Sequence, residues 1–411
     1  MPQSLANFDG ALKDDYGPGL REAVNYSNVV WSEITKNTED IQGRQAVWSV
    51  HIGESTSTGA RGELAPLPTA DRNTFQQVRD NLAFLYHTIK VSGPAEALTK
   101  GDAGSFTRAL ESELKFGEKS LKKDCARQSF NAAVSISGTL YLGSLTEDAS
   151  TASADTGELT FGNADLAELR YFFRREAIDV IYGSTGLSRG STAVTAITTS
   201  TGRIEFSPTV AGTASGDYIA RQGNFQPATT LGGELNGLRH LISDDLYANV
   251  DPATVPEWGA IEFGDGTDEI SEILLDQANQ KVELDGDGDS PDLWLASKPQ
   301  VSKLASLLQV QKRYDGKQMK LKAGWTGLQI SQGVLVEDRF NPDNKIFGIC
   351  KSEIARFVGL DFTWDDLGGT SVFYKALDGS DAVEARFKAY QNLNVTNRNS
   401  HVVIDLAVPV L

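Results

Sequence analysis

The segment over residues 45–91 constrains this chain most. Two stretches of alternating apolar and polar residues flank a polar loop. The first, residues 45–52, sets Trp48, Val50 and Ile52 on one face. The second, residues 82–91, sets Ala83, Leu85, His87, Ile89 and Val91 on one face and Phe84, Tyr86 and Thr88 on the other. Period-two alternation marks a half-buried strand, so the pattern predicts an extended hairpin closed by the loop at 53–68. A two-stranded ribbon is marginal in water by itself and needs a surface to lie on. The next segment reads as one long helix over residues 102–128. Phe106, Leu110, Leu114, Gly117, Leu121 and Cys125 form a single apolar stripe. Glu111 with Lys115, and Glu118 with Lys122, stand in the favoured i,i+4 order. At ~1.5 Å per residue this helix is a rod on the order of 38 Å long. An arm followed by a spine, with no pocket between them, suggests a chain that grips its neighbours.

Composition narrows the class. The chain has 411 residues, is 40% hydrophobic and 23% charged, and carries a net charge of −17. That fits a globular protein of two or three domains, and the acidity argues against a free nucleic-acid binder. No apolar run of transmembrane length occurs, and the first residues lack the basic and apolar regions of a signal peptide. No membrane association is expected. Cys125 and Cys350 lie far apart, which fits two reduced core thiols. The charge is uneven: residues 251–300 hold 13 acids and 2 bases, while residues 301–325 hold six bases and one acid. Two readings fit, either separate solvated faces or an acidic face of one subunit meeting a basic face of the next.

The rest of the chain divides by pattern. Residues 1–44 mix short helical stretches with polar breaks and read as an arm. Residues 132–225 turn rich in Ser, Thr, Gly and Ala, with strands expected at 177–182, 193–198, 203–206 and 217–221. This reads as a small β-rich insertion with its own core. Residues 146–156 are low in complexity and read as a loop. Residues 229–360 look α/β: a helix capped by Thr267 or Asp268 runs through Val282, residues 292–296 suit a buried central strand, and Ser297 and Pro299 open another helix. Strand patterns follow at 327–332, 333–338, 383–391 and 401–408.

Chemistry is hard to find. Gly186-Leu187-Ser188-Arg189-Gly190 matches the nucleophile-elbow string, but a β-like segment follows where that motif needs a helix. His51, His87, His240 and His401 are scattered, without an acid–nucleophile constellation. Asp285-Gly286-Asp287-Gly288-Asp289 invites a calcium reading, yet the sixth and twelfth positions of an EF-hand loop would be Ser290 and Ala296. A solvated acidic turn is the simpler reading and adventitious calcium the other. There is no Cys/His zinc spacing and no phosphate-binding loop. No catalytic residue, cofactor or metal site is expected, which favours a structural protein over an enzyme.

The order of these parts resembles the major capsid proteins of tailed bacteriophages, the Hong Kong-type fold shared with encapsulins. Residues 12–22 are similar to the arm motif, 45–91 to the extended loop and 102–128 to the spine helix. Pro291-Asp292-Leu293-Trp294-Leu295-Ala296-Ser297 resembles the strand-to-helix unit of the axial domain. Leu246-Tyr247-Ala248-Asn249-Val250-Asp251-Pro252 and Pro256-Glu257-Trp258 resemble phrases common in phage capsid chains. The resemblance implies an α+β fold. Its parts are an N-terminal arm (1–44), an extended β-hairpin loop (45–91), a peripheral domain with the spine helix (92–131) and a β-rich insertion (132–228). An axial α/β domain (229–360), return strands of the peripheral domain (361–399) and a C-terminal axial strand (400–411) complete it.

The implied function is a shell of hexamers and pentamers of this one chain, assembled in the host bacterial cytoplasm and enclosing double-stranded DNA held non-specifically in the virion. Trp48, Leu64, Leu67 and Phe84 are the expected inter-subunit contacts of the extended loop. A separate scaffolding protein and a portal protein are the implied partners, and the sequence leaves open whether a decoration protein binds. Some members crosslink a loop lysine to an asparagine. Residues 45–89 contain no lysine and residues 379–383 no asparagine, so a non-crosslinked shell is expected. An encapsulin-like compartment is the alternative.

Overall fold

A computed structural model describes residues 29–53, 55–94, 103–145, 151–153, 157–160, 166–199, 201–228, 230, 233–286, 289–310, 318–320, 326–330, 333–365, 374–375 and 379–409. The arm motif at 12–22 lies outside these residues. Among the described residues the strands form five sheets.

The spine helix, Ala103–Gln128, lies on a sheet of long strands. In that sheet Ala83–Ser92 pairs antiparallel with Ala382–Val395, which pairs in turn with Ile354–Trp364. Thr35–Asn37 adds a parallel edge strand. Leu121 and Cys125 of the helix meet Ala83, Leu85, Phe387 and Ala389 of the sheet. The stripe contains a glycine for a steric reason. A Cβ at Gly117 would stand 2.8 Å from the His87 ring and 2.9 Å from Ile89 Cδ1, so a side chain there would have to displace these two, and glycine lets the helix cross the strand closely without that shift.

The second large sheet has seven strands. Leu293–Ala296, buried along its whole length, pairs parallel with Gly333–Glu337 and antiparallel with Lys345–Ile349. Val402–Asp405 inserts between Lys345–Ile349 and Ile261–Phe263. Helices Glu272–Asp285 and Lys298–Val310 bury Leu274, Leu275, Ala278, Val282 and Leu304 against it. The first helix is capped by Ser271, whose Oγ accepts from the Leu274 N–H at 3.2 Å. Thr267 and Asp268 therefore do not cap it, and Thr267 instead bonds Asp265. A side-chain cap of this kind contributes about 1 kcal/mol.

The β-rich insertion holds a six-stranded sheet, built around the hairpin of Ser188–Thr198 with Arg203–Ser207, and a three-stranded one. Only a small part of its core is separate, the cluster of Val134, Ile136, Ile181, Ala220 and Phe225. Ile178, Val180, Val194, Ile204, Phe206 and Ile219 belong to one buried cluster with Phe130, Tyr247, Phe347 and Phe357. Tyr171 donates to the Phe340 carbonyl at 2.8 Å, and Arg170 pairs with Asp343 at 2.7 Å. Apolar surface on the inner face of the insertion is thus covered by the body, which a reading of local strand pattern does not reveal.

Candidate subunit-contact surface

The hairpin begins from Gln45–Gly53, whose partner is Thr74–Asn81, in one register from Gln45↔Asn81 to His51↔Phe75 and shifted before Gly53↔Thr74. The segment at 82–91, expected as the second strand of the hairpin, instead joins the long-strand sheet, with Ala83 opposite Gln391. Thr74–Asn81 escapes detection because Gln76, Gln77, Arg79 and Asp80 leave only Phe75 and Val78 apolar.

The two halves of this hairpin sit in different surroundings. Near its root, Ala46, Trp48, Val50 and Val78 are buried in the chain's own core. Trp48 stacks on Phe357 at 5.4 Å and stands 6.4 Å from Tyr247, which stacks on Trp258 at 6.0 Å. The root is also tied by polar contacts. The Asp80 carboxylate accepts from Asn236 Nδ2 and Asn392 Nδ2, both at 2.8 Å, and Asn392 also donates to the Asn81 carbonyl at 2.7 Å. Burial pushes the Asp80 carboxyl up to about 7, against the opposing pull of its amide partners.

Beyond Gly53 the ribbon leaves the body. Its neck is held by side chains: Asn73 Oδ1 accepts from Ser55 N–H at 2.8 Å, and Asp71 accepts from Thr56 N–H at 3.0 Å and Thr56 O–H at 2.6 Å. These bonds hold the Asp71 carboxyl below its ordinary value. The tip, Leu64-Ala65-Pro66-Leu67-Pro68, is bare, with Leu64 99% exposed and Leu67 84%.

The four expected contact residues therefore part company. Trp48 is buried at home, so its surface is already covered within one chain. Leu64 and Leu67 stand free at the tip. Phe84 is half-buried on the long-strand sheet, edge-on to Tyr390 at 5.0 Å.

Phe84 also lines a cleft of about 510 Å³ between the spine helix, the long-strand sheet and the insertion. Sequence reading missed this site, because its charged floor comes from distant segments. Arg127 pairs with Asp124 at 2.9 Å and with Glu234 at 2.6 Å. Arg221 pairs with Asp124 at 2.7 Å and Glu176 at 2.5 Å, and Asn224 donates to Glu234 at 2.6 Å. Burial pushes the Asp124 carboxyl up, but the two guanidiniums outweigh it and hold it below its ordinary value. At Glu176 burial prevails and the carboxyl is raised. Tyr86 and Phe173 stand at the rim, 54% and 43% exposed. The one local hint is the pair Asp124 and Arg127, charged residues one and two positions from Cys125 of the apolar stripe and buried with it.

The residues considered for catalysis have structural surroundings. Ser188 opens the strand Ser188–Thr198, so the strand-to-helix turn of a nucleophile elbow is not formed. His401 Nδ1 accepts from Cys350 N–H at 3.1 Å, and burial lowers this imidazole to about 4. His240 is lowered to about 3 by burial and by Arg398. Cys125 and Cys350 are free and buried. Among the described residues no cluster of His, Cys, Asp and Glu could hold a metal, and Asp287 and Gly288 of the acidic turn lie outside them. Of the six bases at 301–325, Lys312, Arg313, Lys317 and Lys322 also lie outside the described residues. Lys303, within them, pairs with Glu269 of its own chain at 2.9 Å.

No family model and no curated protein matches the chain. Solved structures do. A chain of the cyanophage A-1(L) capsid asymmetric unit is 12% identical, with a TM-score of 0.55, over 96% of this chain and 97% of that one. A chain of the capsid of Myoviridae phage XM1 is 6% identical with a TM-score of 0.46, over 95% and 96%. The SrpI encapsulin of Synechococcus elongatus is 14% identical with a TM-score of 0.30, over 41% of this chain and 60% of that one. The chain has the α+β fold of a phage major capsid protein.

Proposed function

We propose that this chain is the structural major capsid protein of a tailed double-stranded DNA bacteriophage, resident in the virion and not an enzyme. One observation carries the reading. The likeness to the cyanophage capsid chain spans 96% of the sequence, so most of the β-rich insertion falls inside it along with the hairpin, the spine helix and both large sheets. In this reading residues 45–81 are the extended loop and the helix Ala103–Gln128 is the spine of a peripheral domain. The seven-stranded sheet is the axial domain. Copies associate as hexamers and pentamers into an icosahedral shell around packaged DNA. A separate scaffolding protein and a portal are partners of the same reading. Assembly takes place in the host cytoplasm, and the shell is held without covalent crosslinks.

Physical chemistry supports it in two ways. The exposed tip leaves apolar surface for a neighbour, and burying one Leu contributes roughly 1.5–3 kcal/mol, repeated in every copy of a symmetric assembly. The net charge of −17 suits a wall that holds packaged DNA loosely, since tight non-specific binding needs many basic groups on phosphates. The test is expression of the chain alone and with its neighbouring genes, followed by negative-stain electron microscopy and sedimentation. Closed angular shells, or rings of five and six, are expected. A monomer under both conditions would refute the reading, and closed shells filled with a protein cargo would replace it with a compartment.

A further inference from the structure

Two tyrosines meet across neighbouring strands of the long-strand sheet. Tyr86 stands on Ala83–Ser92 and Tyr390 on Ala382–Val395, in a register that sets Lys388 opposite Tyr86 and Phe84 opposite Tyr390. The two are thus diagonal neighbours, a spacing that aromatic side chains span. Their ring centroids lie 5.9 Å apart with the planes at 68°. The Tyr86 hydroxyl donates to the Tyr390 hydroxyl at 3.4 Å, too long a bond to hold the rings by itself. The strand register and the neighbouring side chains hold them. Phe84 is edge-on to Tyr390 at 5.0 Å, and Lys388, fixed to Asp365 at 2.6 Å, places its ammonium 6.0 Å from the centre of the same ring.

Such a pair can do more than pack. Loss of one electron and one proton turns a phenol into a phenoxyl radical, with unpaired spin on the ring carbons ortho to the oxygen. Two such radicals held side by side couple there. One carbon–carbon bond forms, and two ring C–H bonds break as the rings regain aromaticity. In total two electrons pass to the oxidant and two protons to water. Access suits this step, since Tyr86 is 54% exposed and Tyr390 half-buried. Competing groups are few, because Cys125 and Cys350 are buried and the chain has two methionines.

We propose that Tyr86 and Tyr390 form an oxidative modification site, at which a one-electron oxidant in solution joins the two rings as an intrachain dityrosine. The bond ties together residues 304 apart in sequence. A cross-link closing so long a loop removes much of the freedom of the unfolded chain. Among the described residues Ala83–Ser92 has only Ala382–Val395 as a strand partner, so the staple also keeps an edge strand from peeling away. Both rings belong to one chain, so the reaction needs no partner copy and does not depend on shell formation.

The test is photo-oxidation of the dilute full-length protein with tris(bipyridine)ruthenium and persulfate. Expected are dityrosine fluorescence, a chain that still runs as a monomer on denaturing gels, and a mass lower by two hydrogen atoms. Digestion should release a cross-linked peptide pair that carries residues 86 and 390. Tyr86→Phe and Tyr390→Phe keep the rings and the fold, and each should abolish all of these signals. Tyr182→Phe, at a tyrosine 41% exposed on the insertion, should leave them unchanged. The oxidised wild-type protein should also unfold at a higher denaturant midpoint than before treatment, a shift missing from both Phe variants. Absence of dityrosine in the folded protein would overturn the assignment. So would fluorescence that survives either Phe variant, or a cross-link formed equally well in denaturant, where the sheet no longer holds the rings together.

Discussion

The root and the tip of the hairpin are one ribbon with opposite fates. At the root, Trp48, Val50 and Val78 are buried in the body and Asp80 is bound by two amides. At the tip, Leu64 and Leu67 stand exposed to solvent. The contrast teaches that the apolar residues of an arm need not share a task. Those near the anchor fix where the arm points, and those at the end are left for whatever it meets.

The largest effect should come from the root. Trp48→Ala removes a buried aromatic that stacks on Phe357 and is expected to destabilise the folded monomer by about 3–5 kcal/mol, read as a drop in denaturant midpoint. Unchanged stability would mean that the root is not anchored as described. Next comes the polar tie. A carboxyl raised to about 7 when folded holds its proton better folded than unfolded. Its contribution therefore favours the folded state at low pH and is lost as pH rises from about 4 towards 7. Thermal melts between pH 5 and pH 8 should show this decline, and Asp80→Asn should flatten it. An equal slope in both proteins would remove Asp80 from the account.

The tip should behave in the reverse way. Leu64→Asp with Leu67→Asp is expected to change monomer stability by less than about 0.5 kcal/mol, yet to abolish particles in the electron microscope. A melting shift as large as that of Trp48→Ala would erase the distinction between the halves. The smallest effect belongs to the neck. Asp71→Ala removes two bonds to Thr56 and should slow assembly measured by light scattering while leaving both melting and final particles unchanged.

Much of this fold is legible in the chain. The spine helix carries a strong apolar stripe, and the buried strands at Leu293–Ala296 and Val402–Asp405 carry short continuous apolar runs. Segments with mixed signals mislead. Thr74–Asn81 is a true strand with a polar sequence, because only Val78 of its residues is fully buried, while the more apolar Ala83–Ser92 belongs to another sheet. Alternation shows that Trp48 faces something, but not whether that is the body or a neighbour. The cleft is illegible for a different reason: Asp124, Glu176, Arg221 and Glu234 are brought together only by tertiary folding, and no spacing along the chain encodes their meeting.

The position of Val402–Asp405 carries a consequence for synthesis. It lies inside the seven-stranded sheet, between Ile261–Phe263 and Lys345–Ile349, so the sheet stays split until residues beyond 400 have left the ribosome. Contacts so distant in sequence form slowly. A polypeptide cut short before residue 402 would leave two unpaired strand edges facing each other across a gap, surfaces prone to aberrant pairing. Translation timing thus acts as a checkpoint: only a polypeptide made past this strand can complete the sheet.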